Sequence, residues 1–536
     1  MGKFKLLDCT LRDGAYIVNS MFGDVSIKGI IDKLNKANID IIECGWLKND
    51  EHKNDSSFYH VISDVNNYIL KPVQTCKYVL MIDWDRYDIS LLPSKNENNI
   101  CDSIRVVFPF DHFIEGLNVG KEIKDKGYNV YFQAANTLAY SDDDLKLLAD
   151  ECNKISPLGI SIVDTFGAMY EDDLERIVKV LDSELNKDIA LGFHSHNNQQ
   201  LAFSNAIHFM KLLSNSSREA IIDSSLCGMG RGAGNATTEL VANYLNQKYE
   251  GNYNLDVIMD AIDIYMTKYS EKYKWGYSTE YCIAGIYCCH VNNIAYLSKN
   301  HRANARDMRN VIDSLSPSDR KKYNYDLLEE KYLINQNRKF EDASNIATLK
   351  EDFKNGVILI APGKSILSEY DNVKDFVDSH KECKTIAVNA LNDKYGTDYL
   401  FLTNTARYDY ARIAYKDKYD NIKRILLSNI KDKEDENDII VEYEKAIKRG
   451  WEHFDNSVIC LLRLLSYIGV YEVFIAGFDG FKNTYNESYA DEALPTVNPG
   501  KKWEELNKEI KEMFEDVKNS SENMSIHFIT ESEFEG

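Results

Sequence analysis

The chain has 536 residues, 44% hydrophobic and 28% charged, with only 8 prolines; at about 100–200 residues per domain this predicts two to four domains and excludes wholesale disorder or collagen-like repetition. The 63 basic and 85 acidic side chains leave a net charge of −22, which repels a phosphate backbone at long range and argues against a general nucleic-acid binder, a local basic pocket aside. The start, MGKFKLLDCTLRDG, has no signal-peptide apolar core, no apolar run is long enough to span a membrane, and the 11 cysteines are scattered without a CxxC pair, so a cytoplasmic protein with reduced thiols is expected.

Over residues 1–250, eight short apolar runs alternate with stretches of helical period: KLLDC, IDIIECG, KYVLMI, SIRVVF, NVYFQA, ISIVDT, ALGFHSH and AIIDSS. Runs apolar on both faces are the mark of parallel strands buried beneath helices, so the pattern predicts an α/β fold with a (β/α)8 TIM barrel. In that fold chemistry sits at the C-terminal ends of the strands.

The first run ends in Arg12 and Asp13, with Gly14 allowing a tight turn; taken alone, the pair is equally an ordinary surface ion pair. The seventh run ends in GFHSHNN, where strand alternation sends His194 and His196 to the same side. Two such imidazoles are either polar strand ends or, with a carboxylate from the neighbouring first strand, a metal set of two histidines and one carboxylate with open positions. The eighth run leads into CGMGRGAGNATTEL, whose glycines make either a plain tight connection or an anion-binding loop. Asn235, which follows them, can offer its carbonyl oxygen to a metal or cap the next helix, and the residues alone favour the cap.

Residues 251–345 read as a helical appendage contributing to the active site. Alternation returns over 353–536 with VILIA, KTIAVN, YLFLTN, KRILLS, YEVFIAG and SIHFIT, predicting a second, Rossmann-like α/β domain. The closing helix WEELNKEIKEMFEDV mixes charges at helical spacing, as a solvated face does.

The motifs TLRDG, IIECG with Glu43, VDTFG, HSHNN and GMGRGAGN, in this order and each at a predicted strand end, resemble the DRE-TIM metalloenzymes, the family of 4-hydroxy-2-oxovalerate aldolase, hydroxymethylglutaryl-CoA lyase and isopropylmalate synthase. The resemblance spans residues 4–300. It implies that Asp13, His194 and His196 bind a divalent metal with Asn235 as a fourth ligand, that Arg12 stabilises an enolate, and that Glu43 orients Arg12. Mixed oxygen and nitrogen ligands favour Mn2+ over Mg2+, Co2+ or Zn2+. Tyr287, in AGIYCC, matches an active-site tyrosine of the aldolases, and Asp164 with Thr165 matches their substrate-contacting segment; a packed aromatic and a structural threonine are the alternatives. Tyr16 stands where those aldolases carry a catalytic histidine. A phenol near pKa 10 is a poor base, which leaves it as an acid, as a partner of metal-bound water, or as a lining aromatic, with His290 as a second proton carrier.

In the second domain Pro362-Gly363-Lys364-Ser365 invites a phosphate-loop reading, but Ile358 occupies the position where that loop needs its first glycine. The wider pattern APGKSI, IAVN, DYLFLTN with Arg407 after it, and FIAGFDG resembles the Rossmann-like sugar-transferase group that includes bacterial sialyltransferases. That likeness implies Gly363, Ser365 and Asn389 near a nucleotide and Asp479 near a sugar or phosphate, against plain turn roles for each. The expectation for the whole chain is a homo-oligomeric, metal-dependent aldolase joining pyruvate enolate to an aldehyde or keto sugar in sugar or polysaccharide biosynthesis, with a domain for a nucleotide-linked sugar. Alternatives are an acyl-CoA-dependent Claisen-type synthase or lyase on the same barrel, and an aldolase fused to a non-catalytic docking module.

Overall fold

The eight apolar runs form strands β1 Phe4–Asp8, β2 Ile41–Leu47, β3 Lys77–Asp83, β4 Ser103–Pro109, β5 Asn129–Ala135, β6 Gly159–Asp164, β7 Ala190–Ser195 and β8 Ala220–Ser224. All pair in parallel with their sequence neighbours, and β1 closes the barrel by pairing with β8 from Phe4↔Ala220 to Asp8↔Ser224 and with β2 at Leu7↔Ile41. The computed structural model describes residues 3–96, 99–301, 303–337, 339–430, 435–451, 456–482, 488–494, 502–521 and 523–535. Six of the eight strands are followed by a long α-helix, whereas after β2 and β3 the crossovers are 3₁₀ turns at Ile62–Asn67 and Ile89–Leu91. Helix Asp142–Ile155 shows how the boundaries are encoded: the Ser141 hydroxyl accepts from the Asp144 amide, Asp144 reaches back to the Ser141 amide, and three acidic residues sit in the first turn.

β2 carries a bulge between Glu43 and Gly45. Gly45 has φ +147, and a Cβ there would stand 2.0 Å from the Ser57 carbonyl oxygen, so glycine is required at the kink. The bulge lies in the middle of β2, immediately after the buried Glu43.

The chain divides into two compact units, Met1–Ile294 with Pro317–Lys322, and Ala295–Ser316 with Tyr323–Gly536. The segment expected as a single appendage over 251–345 is therefore shared: its part up to Ile294 and Pro317–Lys322 belong with the barrel, and the remainder with the second unit. Helical periodicity shows that a face is apolar, not which core receives it.

The second unit holds a seven-stranded parallel sheet: β9 Val357–Ile360, β10 Lys384–Val388, β11 Tyr399–Leu402, β12 Lys423–Leu427, β13 Asp438–Val441, β14 Glu472–Ala476 and β15 Ser525–Phe528, in the order β13-β12-β11-β10-β9-β14-β15. Six of these strands coincide with apolar runs; β13 is the addition. The C-terminal helix Trp503–Ser520 has the expected charged face, and its other face buries Leu506, Ile510, Met513, Phe514 and Val517. No helix among the described residues is long and apolar enough to cross a membrane, and all 11 cysteines are free.

Candidate active site

Asp13 lies in the single helical turn Thr10–Asp13 directly after β1, and His194 and His196 stand at the end of β7. All three are buried, and one ligand atom from each lies within 4.8 Å of the others. The imidazoles are edge to face, with ring centres 5.1 Å apart. The Asn235 amide nitrogen donates to Asp13 Oδ2 at 2.8 Å, while Asn235 Oδ1 and His196 Nδ1 are buried with no hydrogen-bond partner. Orphaned acceptors beside a carboxylate and two imidazoles suit a divalent cation, which would satisfy them together. Asn235 is not the helix cap: helix Thr238–Lys248 starts after Thr237.

From Asp13 a chain of buried ion pairs runs through the barrel. Arg12 Nη1 donates to Asp13 Oδ1 at 2.6 Å and Arg12 Nε to Glu43 Oε2 at 2.7 Å; Glu43 Oε1 is 2.9 Å from Arg105 Nη1. Arg105 in turn contacts Asp223, whose Oδ2 lies 3.1 Å from His194 Nδ1. Burial raises the Asp13 pKa, but Arg12, His196, His194 and Arg231 together outweigh it and hold the carboxyl well below the usual range. Burial opposes the charge on Arg12 as well, and Glu43 and Asp13 overcome it, so the guanidinium stays charged. Arg105 and Asp223 were not among the residues singled out from sequence, although each is a charge inside an apolar strand run, SIRVVF and AIIDSS.

Above the pairs sit the aromatic residues. Trp46 Nε1 donates to the Arg12 carbonyl at 3.1 Å, and Tyr16 meets the Trp46 ring edge-on at 6.1 Å. Tyr16 is 41% exposed, and burial outweighs Arg231 to raise its pKa. Arg231, from the glycine loop, was also missed in sequence: its guanidinium lies 4.4 Å over the Tyr16 ring, its amide donates to Asp13 Oδ2, and its Nη1 is 3.3 Å from His290 Nε2. Burial, then Arg231 and Arg86, push His290 down to about 4.

Tyr287 ends helix Thr279–Ile286, whose Gly285 packs so closely on the loops after β6 and β7 that a Cβ would stand 2.8 Å from Gln199 and 3.1 Å from the Gly167 carbonyl oxygen. This close approach holds Tyr287 at the mouth of the barrel, with Arg320 5.0 Å over its ring. Asp164 and Thr165 are engaged by backbone. The Asp164 carboxylate accepts from the Ala168 and Met169 amides, with its pKa pushed up to about 7 by burial, and Thr165 Oγ1 accepts from the Asn136 amide at 2.6 Å.

In the second unit the four residues singled out stand at the C-terminal ends of the strands. Ser365, through both its amide and its hydroxyl, is bonded to the Asp479 carboxylate. Gly363 abuts the same loop, with an added Cβ 2.6 Å from Asp479 Cγ. Asn389, at φ +65, keeps a buried, unpartnered Oδ1 beside a cavity of about 210 Å³.

Residues 117–264 match the HMGL-like family. The chain is 26% identical over 266 residues to oxaloacetate decarboxylase of Mycobacterium tuberculosis, covering 48% of this chain and 74% of that one. It is 27% identical over 278 residues to 4-hydroxy-2-oxovalerate aldolase of Thermomicrobium roseum, covering 48% and 71%. Among solved structures, the N-terminal domain of a Bacteroides vulgatus protein described as an aldolase aligns at TM-score 0.47 and 25% identity, covering 56% of this chain and 99% of that one.

Proposed function

We propose that the N-terminal unit, an HMGL-like domain of the DRE-TIM type, is a divalent-metal-dependent carbon–carbon lyase that makes or breaks the bond between pyruvate enolate and a carbonyl partner. The supporting observation is the convergence of Asp13, His194 and His196 on one point beside a guanidinium fixed by two carboxylates. Asp13, His194 and His196 would hold the cation, with Asn235 Oδ1 in reach as a further oxygen donor; mixed N and O donors favour Mn2+. A bound divalent cation supplies Lewis acidity toward a 2-oxo acid.

The remaining chemistry belongs to side chains of this chain. Arg12 is locked by Glu43 and Asp13, so negative charge developing on a substrate oxygen meets a cation that need not reorient. Glu43 sets the plane of that guanidinium and is itself set by Arg105. Tyr16 keeps its proton at neutral pH and serves as the proton donor, while His290, neutral and weakly basic, lines the site with Tyr287. Asp164 and Thr165 act on substrate through the turn they build. Oxaloacetate decarboxylation and retro-aldol cleavage of a 4-hydroxy-2-oxo acid both release pyruvate enolate, which is why relatives of either name share this reading.

The second unit is read as a Rossmann-like domain for a nucleotide-linked sugar, placing the fusion in sugar or polysaccharide biosynthesis. The test is Mn2+-loaded full-length protein, with NMR of pyruvate methyl-proton exchange in D2O and cleavage assays on oxaloacetate and 4-hydroxy-2-oxo acids. Exchange and cleavage lost on chelation are expected. If neither occurs the reading is overturned, and thiol release from an acyl-CoA would replace it with a Claisen-type reaction.

A further inference from the structure

We propose that the cavity of the second unit binds a phosphoryl group through Arg407 and orients a hydroxylated sugar or nucleoside beside Asn389. The inference deepens the nucleotide-sugar reading of this unit and takes from it only that the cavity holds a ligand. β9 and β14 are neighbours from which the strand order runs in opposite directions, and ligands of open parallel sheets collect at the carboxyl ends of such a pair. The cavity of about 210 Å³ lies there, lined by Gly363, Asn389, Thr403, Arg407, Asp479 and Tyr489.

The turn after β9 cannot cradle an anion as it stands. Its Ser365 amide already donates to Asp479 Oδ2 at 2.8 Å and its hydroxyl to the other carboxylate oxygen, so the protein's own carboxylate fills the place a phosphate would take. Asp479 would also repel a second anion.

Arg407 has the complementary need. Arg407, in the first turn of helix Thr405–Ala414, is 6% exposed. Its guanidinium lies 5.3 Å from the Tyr489 ring centre, its Nη1 has no hydrogen-bond partner, and among the described residues no carboxylate forms an ion pair with it. Burial lowers its pKa by more than Tyr489, Tyr415 and the more distant Asp491 carboxylate raise it. Helices Thr405–Ala414 and Ser457–Ile468 both begin at the cavity, adding the positive ends of two dipoles. A buried guanidinium without a carboxylate is costly until an anion arrives, and its planar fork suits phosphoryl oxygens. Asn389 Oδ1 and Asn429 Oδ1, also unpartnered at this cavity, are acceptors for ligand hydroxyl or base N–H donors. The ligand class that satisfies all three is a phosphorylated sugar or a nucleoside phosphate.

The test uses full-length wild type and Arg407→Met in EDTA, so that no cation in the barrel can hold an anion. Calorimetric titrations use inorganic phosphate, glucose 1-phosphate, UMP, CMP and, as a carboxylate control, glucuronate; melting curves are recorded without ligand. Glucose 1-phosphate or a nucleotide is expected to bind wild type and to lose at least about 30-fold in affinity in Arg407→Met, consistent with loss of a charge-assisted fork. Unliganded Arg407→Met should melt no lower than wild type, because the change removes an unpaired buried charge; a purely structural arginine would give a lower melting temperature. Should Arg407→Met fail to fold, Arg407→Lys, which keeps the charge without the fork, is expected to weaken binding about tenfold. Binding of glucose 1-phosphate alone, sensitive to Arg407, upholds the inference and ends the nucleotide reading. Nucleotide binding indifferent to Arg407 upholds that reading and overturns the inference; binding of glucuronate alone, or no binding by wild type, overturns the inference without supporting that reading.

Discussion

His194 Nδ1 lies 3.1 Å from Asp223 Oδ2, and the same carboxylate oxygen is held by Arg105. A carboxylate on one imidazole nitrogen fixes the proton there and leaves Nε2 as the donor to a cation. Asp223→Asn is nearly isosteric but no longer anionic, so it is predicted to weaken Mn2+ binding by about 10–100-fold with secondary structure retained. Competition titration against a chelating dye measures this, and an unchanged affinity would remove Asp223 from the centre.

Glu43 is fully buried and bridges two guanidiniums, Arg12 and Arg105. Removing it leaves neither arginine without an acidic contact, since Asp13 and Asp223 remain, but it strips one of three carboxylates from a chain containing two buried cations. Glu43→Ala is predicted to lower unfolding stability by about 3–5 kcal/mol, read by urea denaturation. A loss below about 1 kcal/mol, the scale of exposed ion pairs, would contradict a desolvated role.

Arg12→Lys separates charge from geometry. The ammonium keeps a cation at the site but cannot bond Glu43 and Asp13 at once through a planar fork. The expected result is a fall in kcat of about 10²–10³-fold, the scale of losing one preorganised donor, with Mn2+ affinity little changed. A lysine variant of wild-type kcat would deny Arg12 its role in charge stabilisation.

The barrel was legible because parallel strands covered on both faces leave unbroken apolar runs, and all eight runs became strands. Asp13, His194 and His196 were legible through strand alternation and position at strand ends. Arg105 and Asp223 were passed over because a charge within an apolar run gives no hint of a partner several strands away across a closed barrel. β13, Asp438–Val441, has only the three apolar residues Ile439, Ile440 and Val441 between the charged stretches KDKEDEND and EYEK, so it did not stand out. Ser365 and Asp479 were both placed at strand ends, but 114 positions apart nothing in the sequence says that they bond to each other and close the turn.

Asp164 supplies a pH dependence of stability. Burial raises its folded pKa to about 7, from 3.8. The folded state then binds more protons than the unfolded chain between these values, so stability from this group is complete below about pH 4 and declines as pH rises through about 7. Asp164→Asn removes the titration while keeping an acceptor for the Ala168 amide, on Oδ1, and loses the bond that Oδ2 accepts from the Met169 amide, a cost that does not change with pH. The difference in melting temperature between variant and wild type should therefore shift in favour of the variant from pH 4 to pH 7.5; a constant difference would falsify the assignment.

Gly230 tests whether the glycine loop is part of the site or only a connection. Its φ is not in the left-handed region, so alanine there carries no intrinsic backbone strain. The obstacle is space: an added Cβ would stand 2.3 Å from Asp13 Oδ2 and 2.4 Å from the Asn235 amide nitrogen, both on the metal-facing side. These two groups are bonded to each other, and Asp13 is also held by Arg12, so the cheapest relaxation moves the loop and Asn235 away from Asp13. Gly230→Ala is therefore predicted to lower Mn2+ affinity at least about tenfold, as loss of outer support for a ligand does, with a smaller effect on unfolding stability than Glu43→Ala. Calorimetric Mn2+ titration and urea denaturation of both variants measure the contrast. A loop that merely connects β8 to its helix would show the reverse order, with stability lost and metal affinity kept.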